Sequence, residues 1–171
     1  MGGGNVGGLN TFKEVGRGAG VAVMLADVAK GAAAVAIARW LLDVPQPFVL
    51  AAGLAAVAGH NWSIFLKFTG GKGMATTIGV LVILMLHYGY WQGLLIFAGI
   101  IGIGLIITHN VALSAGIAFF CLPFIAWLGM KSGLFIILAI ILGLVMGLKF
   151  LPTARAAWAT SGNIKDFIRG H

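Results

Sequence analysis

Residues 133–151 read Gly-Leu-Phe-Ile-Ile-Leu-Ala-Ile-Ile-Leu-Gly-Leu-Val-Met-Gly-Leu-Lys-Phe-Leu, with one charge near the end. A hydrocarbon layer about 30 Å thick needs roughly 20 such residues in a helix. Only a helix or a closed barrel satisfies every backbone N–H and C=O there without water. Five more apolar stretches precede this one, at about Gly18–Leu42, Pro47–Phe65, Met74–Leu86, Trp91–Thr108 and Val111–Met130. The expected fold is therefore all-α, a polytopic membrane helix bundle of six spans. Composition agrees: 60% of the 171 residues are hydrophobic and 9% charged, with a mean hydropathy of +1.05. A soluble enzyme, a disordered tail and a disulfide scaffold are excluded. The 27 glycines suit helices that approach closely in lipid. Cys121 has no partner cysteine, and no His/Cys spacing reads as a metal site. The first 17 residues are glycine-rich and polar and are not read as a cleavable signal peptide.

The connectors between the apolar stretches are short, except for Leu66–Gly73. Alternating the faces puts Lys13, Arg17, Lys67, Lys72, Lys149, Arg155, Lys165 and Arg169 on one side, and Arg39 and Lys131 on the other. Lys30 lies within a span. The net charge of +7 thus reads as membrane orientation, and nucleic acid is not an expected partner. The lysine-rich face is expected to be cytoplasmic, and it carries the head, the Leu66–Gly73 loop and the tail.

Four groups of residues carry chemistry. The head Gly2-Gly3-Gly4-Asn5-Val6-Gly7-Gly8-Leu9-Asn10 exposes backbone N–H groups that can turn toward an anion, with Asn5 and Asn10 adding amides. A flexible terminus is the plainer reading. The loop Thr69-Gly70-Gly71-Lys72-Gly73 precedes a span, so backbone donors, one cation and a helix N-terminus converge as in a phosphate cradle. It is not a Walker A loop, since glycine follows Lys72. An ordinary turn with an orienting lysine is the alternative. Asp27 and Lys30 share one helix face within a span, which fits a functional pair or a simple ion pair. His60, in Gly59-His60-Asn61-Trp62-Ser63, is a cap or a catalyst. His87, Tyr88, Tyr90 and Trp91 form an interfacial belt.

These motifs resemble those of the bacterial acyl-phosphate:glycerol-3-phosphate acyltransferases, the PlsY family. Residues Gly2–Asn10 are similar to that family's first motif. Gly59–Thr76 is similar to its Gly-His-x-x-Pro-x-Phe…Gly-Gly-Lys-Gly-x-Ala-Thr motif. Asp27-Val28-Ala29-Lys30-Gly31 is similar to its Asp-x-x-Lys-Gly, and Asn163-Ile164-Lys165-Asp166-Phe167 to its Asn-Ile-x-Arg-Leu. Departures are Gly3 for serine, Gly8-Leu9 for Ala-Thr, Lys13 for arginine, Ser63 for proline and Thr160 for histidine. The family has seven spans; relative to it, the span before the first motif is expected to be missing here.

The resemblance implies one integral-membrane acyltransferase domain over residues 1–171, in the bacterial inner membrane with its active site facing the cytoplasm. It implies transfer of a fatty acyl group from acyl phosphate to the 1-hydroxyl of glycerol 3-phosphate, giving lysophosphatidic acid and phosphate without a cofactor or metal. Lys72, with Gly70, Gly71 and Gly73, would hold phosphate, and Lys13 and Asn163 would add contacts. Asn5 would orient a substrate and His60 would brace the loop. Asp27, Lys30 and Asn10 would support the site. Acyl phosphate is already activated, so no strong protein nucleophile is demanded. A catalytically impaired homologue, or a small transporter using Asp27 and Lys30, are the alternatives.

Overall fold

The computed structural model describes residues 7–64, 67, 68 and 70–160, excluding the side chains of residues 157 and 160. The described residues form helices, in two compact units, Met1–Gly89 and Tyr90–His171.

The first unit holds α1 (Gly8–Glu14), α2 (Arg17–Ala36), α3 (Gln46–Asn61) and α4 (Met74–His87). A π-helical turn, Ile37–Leu41, extends α2. Helix α2 packs against all three others. Its crossing with α4 is set by two glycines. A methyl on Gly31 would strike the Thr76 carbonyl, and one on Gly79 would strike the Val28 carbonyl and lie 2.9 Å from the Ala32 nitrogen. Hydrogen in place of a side chain therefore lets the two backbones touch, which is how helices gain dispersion energy in lipid. Gly53 of α3 faces the side chains of Val80 and Val35 instead, and Val35, Val49, Val57, Val80 and Leu84 form a buried apolar core. Pro47 in the first turn of α3 occupies a position whose N–H has no helical partner.

The second unit holds α5 (Trp91–Thr108), α6 (Val111–Met130) and α7 (Gly133–Thr160), with α6 packed on both neighbours. The α5–α6 turn is tightly specified. His109 adopts φ 54° at the end of α5, and the Asn110 side chain accepts from the Leu113 N–H at 3.1 Å to start α6. The Ser114 hydroxyl donates to the Asn110 carbonyl at 2.8 Å and lies 3.2 Å from Thr108 Oγ1, so this buried hydroxyl serves the turn. Phe97 and Phe119 meet edge-on, 5.3 Å between ring centres.

All six apolar stretches are helical, and the boundaries of α5 and α6 agree with the sequence reading. Three details differ. The stretch expected to reach Phe65 stops being helical at Asn61, where Trp62 takes φ −128° and ψ 60°. The last helix runs on past Pro152 to Thr160. A short helix, α1, precedes the first long one. Among the described residues, Arg17–Leu41, Trp91–Thr108, Val111–Met130 and Gly133–Ala156 are long and apolar enough to cross a membrane. Leu25, Ile106, Phe120, Trp127 and Leu144 stay exposed outside the two cores, as side chains facing lipid do.

Candidate phosphate-binding site

The first unit brings three of the singled-out groups to one place: the Asp27–Lys30 pair, His60 and the glycine-lysine loop. Asp27 and Lys30, one turn apart on α2, form an ion pair with Lys30 Nζ 2.6 Å from Asp27 Oδ1. The pair has a third member. Lys30 Nζ also lies 2.5 Å from His60 Nδ1, and that nitrogen lies 3.3 Å from Asp27 Oδ1. His60 sits in the last turn of α3, and its ring is only 7% exposed. Sequence spacing showed the Asp27–Lys30 face; it gave no sign that His60 joins it.

From the end of α3 the chain turns back upon itself, with Lys67 and Phe68 at positive φ. It then lays its glycines on the His60 turn. A methyl on Gly70 would meet the carbonyls of His60 and Asn61, and one on Gly71 would fall onto the His60 ring at Nε2. Gly73 takes φ 71°, the left-handed region that favours glycine, and its carbonyl accepts from the Thr77 N–H at 2.8 Å as α4 begins. The second, third and fourth residues of Gly-Gly-Lys-Gly therefore have separate reasons for their identities: space for His60 at Gly71, charge at Lys72, and backbone conformation at Gly73.

Lys72 is half-buried, and burial holds its ammonium below the ordinary lysine pKa. It stands directly before the N-terminus of α4, whose first amides and dipole favour an anion. One cation, the amides of a helix N-terminus and a glycine backbone are donors of the kind that phosphate oxygens accept from.

Three further polar residues were given no role from the sequence, although Asn61 and Thr76 fall within the quoted motifs. Asn61, Thr76 and Thr77 are fully buried, and Asn61 Oδ1 and Nδ2, Thr76 Oγ1 and Thr77 Oγ1 have no hydrogen-bond partner among the described residues. Small polar side chains next to apolar runs give no signal of this kind. Asn10 and Lys13 lie on α1, which packs on α2; Asn10 is partly covered and Lys13 exposed. Asn5 and Asn163 lie outside the described residues. A second polar cluster occupies the far ends of α2 and α4. There Arg39 Nε donates to His87 Nε2 at 3.0 Å and Arg39 Nη1 to Asp43 at 2.5 Å, while the His87 ring packs edge-on against Trp40 and Tyr88.

Comparison with known proteins adds to this geometry. A family model described as glycerol-3-phosphate acyltransferase matches residues 1–170. A glycerol-3-phosphate acyltransferase 1 of Dehalococcoides mccartyi is 47% identical over 171 residues, spanning 100% of this chain and 82% of the relative. A glycerol-3-phosphate acyltransferase of Geotalea daltonii is 34% identical over 163 residues, spanning 95% and 81%. The crystal structure of PlsY, an integral membrane glycerol 3-phosphate acyltransferase in its glycerol 3-phosphate form, superposes with a TM-score of 0.79 at 25% identity. That match covers 93% of this chain and 77% of the crystallised one.

Proposed function

This chain belongs to the glycerol-3-phosphate acyltransferase family, and on that premise we propose that it transfers a fatty acyl group from acyl phosphate to the 1-hydroxyl of glycerol 3-phosphate. It is an integral membrane acyltransferase of lipid synthesis. The observation that carries the reading is Lys72, half-buried among glycines at the start of α4, with the His60 ring packed under Gly71.

The chemistry follows from the substrates. The 1-hydroxyl oxygen attacks the acyl carbonyl, the bond from that carbon to the phosphate oxygen breaks, and inorganic phosphate leaves. The hydroxyl proton passes to a phosphate oxygen. Two anions must be held side by side, and charge grows on the carbonyl oxygen and on the leaving phosphate. Fixed N–H donors and a cation stabilise that growth without reorganising. Lys72 with Gly70, Gly71 and Gly73 supplies these from the central loop; Lys13 and Asn163 add contacts to phosphate, Asn5 orients substrate from the head, and Asn10 supports the site.

The six apolar helices cross the inner membrane, and the lysine-rich face puts the loop in the cytoplasm. Residues 1–171 act as one catalytic domain, which a family match running across both units supports. Purified protein given palmitoyl phosphate and glycerol 3-phosphate should release one phosphate per 1-acylglycerol 3-phosphate formed. Turnover with palmitoyl coenzyme A and none with palmitoyl phosphate would overturn the donor assignment.

A further inference from the structure

Lys30 has two acceptors within 2.6 Å, Asp27 Oδ1 and His60 Nδ1. A lysine ammonium has three donors and no acceptor, so at 2.5 Å the nitrogen facing it must offer a lone pair. A neutral imidazole that accepts at Nδ1 carries its proton on Nε2. A doubly protonated ring would press an N–H against the ammonium. The Nε2 end is the end under Gly71, where any side chain larger than hydrogen would collide with it.

We propose that the Asp27–Lys30 pair fixes His60 as the Nε2–H tautomer, so that the ring presents an N–H donor to the Gly70–Gly73 loop and Asp27 and Lys30 are positioning residues for phosphate binding. This rests on the reading that the loop holds phosphate, and it deepens that reading. Asp27 aims the ammonium from one side, and Lys30 withholds the proton from Nδ1. Without Lys30, Asp27 Oδ1 at 3.3 Å becomes the natural acceptor for Nδ1–H, and the tautomer inverts. A passive brace between α2 and α3 would depend on the shape of the ring and not on which nitrogen carries the proton.

The two roles separate by experiment on the full chain in lipid nanodiscs, labelled with ¹⁵N-histidine. The protein has four histidines, so His60 is assigned by difference against His60→Gln. The wild type should show an unprotonated Nδ1 and a protonated Nε2, with the Nε2 signal moving on addition of inorganic phosphate. Lys30→Met should invert the pattern and Lys30→Arg restore it. In kinetics, the glutamine amide stands near the place of Nε2 and the asparagine amide near that of Nδ1. His60→Asn should therefore raise KM for glycerol 3-phosphate about tenfold more than His60→Gln. A wild-type ring protonated on Nδ1, a pattern unchanged in folded Lys30→Met, or equal KM values for the two His60 variants would overturn the proposal. If Lys30→Met fails to fold, the wild-type spectrum decides. A chain that shows the Nε2–H pattern but never acylates glycerol 3-phosphate would defeat the functional reading and leave the tautomer assignment standing.

Discussion

Replacing Gly71 by alanine tests the site with one carbon atom. The new methyl would fall on the His60 ring, with Cε1 at 2.7 Å and Nε2 closer still. A free side chain could swing away cheaply. This ring cannot, because Lys30 holds Nδ1 at 2.5 Å and only 7% of the side chain is exposed. The loop must move instead. Inserting a methyl into a packed site costs about 1–3 kcal/mol. If that strain is relieved by displacing the loop, it appears as lost affinity, roughly five- to 150-fold in KM for glycerol 3-phosphate. Initial rates at saturating acyl phosphate measure it, with thermal unfolding in detergent alongside. Gly59→Ala is the control, since nothing lies within 4 Å of its methyl and alanine is the better helix former. Its KM should match wild type. Trimming the ring removes the collision, so Gly71→Ala added to His60→Ala should cost far less than it does alone, a non-additivity expected of residues in contact. Equal KM values for Gly71→Ala and Gly59→Ala, at equal stability, would refute the loop geometry as the basis of substrate binding.

Three more outcomes follow from the same site. Lys72→Ala removes a charge-assisted phosphate contact of about 1.5–3 kcal/mol and should lower kcat/KM by roughly ten- to 150-fold, whereas Lys131→Asn, which keeps a residue tolerant of φ 47° at the α6 terminus, should leave it unchanged. Burial depresses the Lys72 pKa below 10.5, so between that lowered value and 10.5 the unfolded chain holds a proton that the folded chain lacks, and this lysine's contribution to stability rises with pH. Phosphate binding needs the ammonium, so inhibition by inorganic phosphate should weaken as pH climbs through the lowered value and recover that range in Lys72→Arg, whose guanidinium stays charged. Gly79→Ala drives a methyl into the Val28 carbonyl across the α2–α4 crossing and should destabilise by about 1–3 kcal/mol, read as a fall in Tm that Gly99→Ala, with open space around it, does not share.

The helices were legible because a bilayer imposes a length, and a length can be counted. The boundaries of α5 and α6 were readable because a two-residue polar turn, His109–Asn110, separates two apolar runs and supplies both the left-handed residue and the cap. The end of α3 was not, since Trp62, Ile64 and Phe65 continue the apolar composition past the point where the backbone leaves the helix. Short α1 was hidden for the opposite reason, as glycine and asparagine argue locally against helix while α1 packs on α2. In the site, local features were legible and distant ones were not. The glycine-lysine loop and the Asp27–Lys30 spacing lie within a few residues of themselves. The meeting of Lys30 with His60, 30 positions apart, depends on how α2 and α3 pack. Gly53 of α3, where an added methyl would lie 3.2 Å from the Val35 side chain of α2, belongs to that packing, but a glycine alone gives no such sign, since Gly59 and Gly99 have open space around them.

That meeting also bears on the two readings left open for Asp27 and Lys30. An ion pair that only neutralised two charges on an apolar helix would be complete with two members. Lys30 instead turns one donor to a histidine on another helix, and the ring of that histidine lies against Gly71, where a methyl would collide with it. A helix tie alone would not require Gly71 to lack a side chain. Within the first unit, the direction that the contacts take is from Asp27 to Lys30, to His60, to the loop that carries Lys72. The Asp27–Lys30 pair, with Asp27 buried and Lys30 partly exposed, thus fits the proposed role of the loop that carries Lys72 better than a self-contained ion pair does.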